Sequence, residues 1–493
     1  MTATGVAAQE TVSAPLSAID WLSQSVTAPV FEPPVTATAM PPEVTTTPLQ
    51  HRSKDPVGLL PPEVTDLPRT IWQGSEEATL VDLVRAERIE TLPAMQEFMK
   101  VLMLAEADPP FNAGADGALF LARVDKLLDL GALEPAKSLI EEAKPDTAPL
   151  FRRWFDVALL TGTEQEVCDV MGQKPSVAPT YPARIFCLAR NGDWPAAALT
   201  LNTHRVLGDI SEQEEMLLAR FLDPDLFEGE PRLDPPARVS PLMFRMHEAI
   251  GENLVTSNLP LAFSHADLRT TTAWKSQLEA AERLARHGAV SENVLQDMYT
   301  ARTPAASGGI WDRAAAVQRF DTAVTAGDAG AVARTLPAAW AAMRHARTEV
   351  QFAKLYAPAL QDLPLQGEAD DIAFEMGLLS PDYKSVAMRA ESGRDPFLVA
   401  LARGVPQEVR VTSPRELAIQ SAFNGAAPPA ALQELIDQRK LGETLLRAVS
   451  LFHEGYVGDA GSLTEALAVF RAVGLEDVAR RAALQLMLLE RAT

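Results

Sequence analysis

From Ser75 to the end of the chain, apolar residues recur at the three- and four-residue spacing of a helix face. Phe120, Leu121, Val124, Leu127 and Leu128 form one stripe, and Trp274, Leu278, Ala281, Leu284 and Ala285 a second. Leu445, Ala448, Val449 and Phe452 make a third, and Leu463, Ala466, Leu467, Phe470 and Val473 a fourth. No stretch has the period-two alternation of a half-buried strand. The pattern predicts an all-α fold of roughly 18–20 helices, mostly about 10–16 residues long and joined by short loops. Capping boxes are predicted at Thr163 with Glu166, Ser211 with Glu214, Ser413 with Glu416 and Ser462 with Glu465.

Between stripes a local signature repeats. A helix ends at Gly, a short polar turn follows, and a small or β-branched residue sits five positions after the Gly. It occurs as Gly131 to Ala136, Gly192 to Ala197, Gly327 to Val332 and Gly474 to Ala479. Gly takes the left-handed conformation cheaply at a helix end. Pro135 and Pro195 suit the first turn of the next helix, where their missing N–H would go unpaired anyway. The small residue lets two helix axes approach closely. Such hairpins, stacked, make a tetratricopeptide-like helical solenoid. The four Gly anchors lie 61, 135 and 147 residues apart, none a multiple of the ~34 residues of a regular tetratricopeptide unit, so the array is degenerate. A Pro-rich acidic stretch at 223–241 divides an N-terminal array, 75–222, from a C-terminal one, 242–493, and the two can also be read as one continuous superhelix. A weaker break is Thr303 to Gly309.

Residues 1–74 differ. They hold 11 of the 37 prolines and a short duplication, Pro41 to Thr45 and Pro61 to Thr65. Proline at this density blocks helix and starves a sheet of donors, so a disordered Pro/Thr-rich arm is expected. Two apolar islands interrupt it, one with Ile19, Trp21 and Leu22 and one with Ile71 and Trp72. Either can be a docking peptide or pack back on its own body.

A formal net charge of −22 speaks against non-specific nucleic-acid or anionic-membrane binding, which need Lys/Arg patches. No stretch has the ~18–20 continuous apolar residues of a membrane span. Val6-Ala7-Ala8 has the small-residue pattern of a leader cleavage site, so an exported, periplasmic protein beginning near Gln9 is expected, with a cytoplasmic adaptor as the alternative. Cys168 and Cys187 fall on consecutive predicted helices and can either bridge or remain buried thiols. Without CxxC spacing they make neither a zinc nor a redox motif.

Searches for chemistry return little. There is no Walker A loop, GxGxxG after a strand or GxSxG elbow, and the seven His are scattered. No cofactor or metal site is expected. Trp311, Asp312 and Arg313 follow a Gly pair and open a helix; they read as a binding loop or as a helix–helix connection anchored by Trp311. Met388 to Pro396, containing Glu391, resembles the catalytic Glu-Ser segment of lytic transglycosylases, and Ala422 to Ala426 resembles their Ala-Tyr-Asn-Ala-Gly segment. A Glu acting as general acid and then base would cleave glycan. The intervening Gly-Leu-Met-Gln segment is absent, and the two pieces lie only about 30 residues apart, too close for that catalytic domain.

Residues 259–326, the run from Gly442 through Gly474 to Arg491, and Pro15 to Ser23 resemble an uncharacterised alphaproteobacterial family often labelled "antifreeze glycopeptide polyprotein". The label implies Ala-Ala-Thr repeats, which this chain lacks, so ice binding is not carried over. The resemblance implies export. The combined expectation is a non-enzymatic helical scaffold or adaptor that binds protein partners, with a glycan-lytic enzyme or accessory subunit centred on Glu391 as the alternative.

Overall fold

A computed structural model describes residues 53–489. Its described residues are all helical and contain no strand, only two isolated bridges. Twenty-five α-helices follow in order: α1 (Pro62–Thr65), α2 (Glu77–Ala86), α3 (Pro93–Leu104), α4 (Ala118–Asp129), α5 (Leu133–Glu142), α6 (Ala148–Thr161), α7 (Glu164–Gln173), α8 (Tyr181–Arg190), α9 (Trp194–Leu207), α10 (Glu212–Leu222), α11 (Pro241–Ala249), α12 (Ser264–Asp267) and α13 (Trp274–Arg286). Then come α14 (Glu292–Thr300), α15 (Ile310–Thr325), α16 (Ala329–Ala346), α17 (Glu349–Leu360), α18 (Glu368–Leu379), α19 (Tyr383–Met388), α20 (Pro396–Arg403), α21 (Pro414–Phe423), α22 (Ala430–Asp437), α23 (Leu441–Tyr456), α24 (Ala460–Ala472) and α25 (Glu476–Leu488).

The Gly signature is a Schellman turn. At Gly131, Gly192, Gly327 and Gly474 φ is positive, between 64° and 88°. The next residue's N–H bonds the carbonyl five positions back: Ala132 to Leu127, Asp193 to Leu188, Asp328 to Ala323 and Leu475 to Phe470. The residue five after each Gly (Ala136, Ala197, Val332 or Ala479) is fully buried. The same bond closes thirteen helix ends among the described residues, eleven with Gly and two with arginine, Arg347 and Arg439. The capping boxes form at Ser211 and Ser413. Thr163 caps without a side-chain bond, and the helix expected at Ser462 begins earlier, capped by Asp459.

Many helices pack as hairpins on a sequence neighbour, α4 on α5, α8 on α9, α15 on α16 and α23 on α24, while others skip along the chain, α2 onto α4 and α21 onto α24. The array then closes on itself. α25 packs on α3 and α23 on α2. Phe98 meets Phe470 edge-on at 5.5 Å, and the Ala94 N–H donates to Gln485 Oε1 at 2.7 Å. One hydrophobic cluster runs from Leu67 to Leu489, and a small second one joins α5 and α6 to Phe244 of α11 and Phe263.

Residues 53–74 belong to this body rather than to an arm. The reason is a buried cation. The Arg123 guanidinium, fully enclosed, donates to the carbonyls of Asp55, Val57, Met103 and Ala105 at 2.8–3.0 Å, tying the segment to the end of α3. The Asp55 carboxylate in turn accepts the Phe120 N–H at 2.7 Å and caps α4. Prolines 61, 62 and 68 sit where no ladder donor is required, at the cap and first turn of α1 and the cap of a 3-10 turn, Arg69–Trp72.

The stretch 223–241 is no domain boundary. Residues 53–489 form one compact unit, and α10 and α11 pack together across the stretch while α11 returns onto α6. Buried Arg220 binds Glu230 and Glu252, and the Leu233 N–H donates to Glu252, so the loop is pinned at its middle.

Candidate functional site

The residues singled out from sequence separate into distinct environments. Ile71 and Trp72 are in the core, 1% and 0% exposed, so they are not a docking peptide. Ile19, Trp21 and Leu22 lie outside the described residues. Cys168 on α7 and Cys187 on α8 are joined as a disulfide between the two helices.

Trp311, Asp312 and Arg313 form no open binding loop, because each is used internally. Trp311 packs on Trp274, ring centroids 5.2 Å apart, and the Asp312 carboxylate accepts the Gly308 N–H. Arg313 forks onto the buried Glu282 carboxylate at 2.8 and 2.9 Å, and Glu282 also accepts the Tyr299 hydroxyl at 2.6 Å. Burial beside Glu282 holds the Tyr299 phenol well above its ordinary pKa, so it stays protonated and donates.

Glu391 lies exposed in the loop after α19. It edges a pocket of about 330 Å³ with Phe374, Arg389 and Arg394. Arg394 is paired with Asp370 and Asp371 and packs over Phe374, and Arg389 is paired with Gln361. A second cleft, about 690 Å³, is lined by hydroxyls and by Arg245, Glu248, Asp267 and Arg283. These charges are also taken up internally: Arg245 on Glu164 and Glu248, Arg283 on two carbonyls and Ser264, Asp267 on Thr256.

What the pattern of apolar stripes missed is a helix with its apolar side outward. α9 buries only Ala197 and Leu201. Its opposite face, at helical spacing, reads Pro195, Ala198, Leu199, Asn202, Thr203 and Val206, with no charged residue. Leu199, Leu207 and Val206 are 69, 65 and 80% exposed, and Trp194, Met216 and Leu226 nearby in sequence are exposed as well. Large apolar side chains gathered in this way on a surface mark an interaction site, whereas scattered ones do not. The next segment supplies charge: between positions 209 and 234 stand nine acidic residues and two arginines. The helix is firmly placed, because Asp193 caps it, Gly208 ends it in a Schellman turn, and Trp194 and Phe186 flank Phe221 of α10.

Among the described residues, no helix is long and apolar enough to cross a membrane, and no group of His, Cys, Asp and Glu is placed to hold a metal ion. Compared with protein-family models, curated proteins and solved structures, the chain finds no match. The resemblance to the alphaproteobacterial family rests on the sequence segments alone.

Proposed function

We propose that this protein is a helical adaptor that binds a protein partner through the outward face of α9. The observation that carries the reading is the uncharged, exposed face of α9 that carries Leu199 and Val206 into solvent, on a chain in which 22% of residues are charged. The acidic stretch beside it fits a partner segment with an apolar side flanked by Lys or Arg, because opposite charge at a rim steers and orients association. The Cys168–Cys187 bridge supports placing the adaptor in an oxidising compartment such as the periplasm, since cytosolic thiols are kept reduced.

The test is a photo-crosslinking residue introduced at Leu199 of the full chain in its producing cells, with the same residue at exposed Glu434 as control. A discrete adduct at 199 and none at 434, with a crosslinked peptide containing Lys or Arg beside apolar residues, is the expected result. Equal labelling at both positions, or none at 199, removes the proposal.

A further inference from the structure

We propose that the cleft where the front, middle and rear of the array meet binds a small polyanion, a molecule carrying two or more carboxylate or phosphate groups. The cleft, about 390 Å³, lies apart from α9, and its assignment is independent of the adaptor reading. It is lined by the start of α3 with Gln96, the end of α13 with Arg286 and His287, the end of α16 with His345 and Arg347, and by Glu90.

On a chain of net charge −22, these walls carry two arginines and two histidines against one glutamate. Arg286 pairs with Glu282 at 3.6 Å, and that carboxylate is shared with Arg313, so one carboxylate serves two guanidinium groups. Arg286 is fixed in place by donating from Nε to the Ala346 carbonyl at 2.6 Å. Burial lowers the Arg286 pKa most, Glu282 opposes it, and the neighbouring guanidinium groups of Arg313 and then Arg347 lower it further. Like charges held together in a partly enclosed space are relieved by an anion.

Arg347 has φ 58° and occupies the turn position that eleven other helix ends fill with Gly. A side chain there is sterically costly, so the turn itself does not explain the arginine. Its place on the cleft wall does.

Gln96, 2% exposed, donates from Nε2 to the Ile89 carbonyl and to His287 Nδ1, at 2.7 and 2.8 Å. This leaves Nε2–H as the donor of the neutral His287 ring. The Thr91 hydroxyl, on the cleft wall, has no partner in the protein and is free to donate to an anion.

The experiment is calorimetric titration of the full chain with citrate and, separately, inorganic pyrophosphate, in chloride buffer of matched ionic strength. Wild type, Arg347→Gly, His345→Gln and Arg439→Gly are compared. The expected result is saturable binding of at least one probe, roughly 10-fold or more weaker in Arg347→Gly and weaker in His345→Gln, but unchanged in Arg439→Gly, where the same turn lies outside the cleft. Arg347→Gly should also melt no lower than wild type, because glycine relaxes the turn. Citrate alone binding indicates a carboxylate ligand, and pyrophosphate alone a phosphate ligand; both support the site. No binding of either probe, binding unaffected by Arg347→Gly, or a lower melting temperature for that variant overturns it.

Discussion

Trp72 packs directly against Gly442: a Cβ at position 442 would sit 2.5 Å from the indole Cε3. No side chain fits between the front of the chain and α23. Gly442→Ala is therefore expected to destabilise by about 1–3 kcal/mol, the usual cost of overpacking a core. Urea melts of the two proteins check it, and an unchanged midpoint would mean that the contact is loose.

The bridge between Cys168 and Cys187 spans 19 residues. Closing a loop of that length removes unfolded-state entropy worth roughly 3 kcal/mol. Cys168→Ser/Cys187→Ser should lose stability of that order, and dithiothreitol should lower the wild-type melting temperature while leaving the double variant unmoved.

Glu87 is buried, and burial pushes its carboxyl up to about 8, against a partial opposing pull from Lys126. A carboxyl raised on folding holds a proton that the unfolded chain has already lost. Its contribution to stability therefore falls as pH rises from the ordinary carboxylate range to about 8. Glu87→Gln, neutral throughout, should be more stable than wild type by roughly 2–4 kcal/mol at pH 8, with the difference vanishing near pH 4. Chemical denaturation across that range measures it.

Arg439, at φ 60°, fills a Schellman turn between α22 and α23. Unlike Arg347, it faces no cleft described above. Arg439→Gly should raise stability by about 1 kcal/mol, the left-handed penalty of a residue with a Cβ. A lower melting temperature would show that the guanidinium makes a contact worth more than the strain.

These arginines also explain what the sequence concealed. Helix type and hairpin turns were legible, because Gly at the end and a small residue five later follow directly from turn sterics. Repeat spacing was not. Gly131, Gly162 and Gly192 lie 31 and 30 residues apart, and Gly404, Arg439 and Gly474 lie 35 apart, close to a regular ~34-residue unit. Arg439 hid the second series because arginine carries no local signal for positive φ. The 53–74 segment was misread for a different reason. Proline density reports what backbone cannot form, while the ordering force came from Arg123, nearly 50 residues beyond the segment, through carbonyls that any sequence would offer. The α9 face was missed because an apolar helix looks the same whichever side it turns to water. The cleft was missed because Gln96, His287 and Arg347 become neighbours only once the array has closed.

That closure sets an order in time. Helices emerge from synthesis front first, yet α2 and α3 find their final partners only in α23 and α25, about 350 residues later. The first helices made are the last to be finished. Until the final hairpin is available, Trp72 and Phe98 lack the surfaces that cover them, so this protein cannot complete its fold while any part of the rear array is still to come.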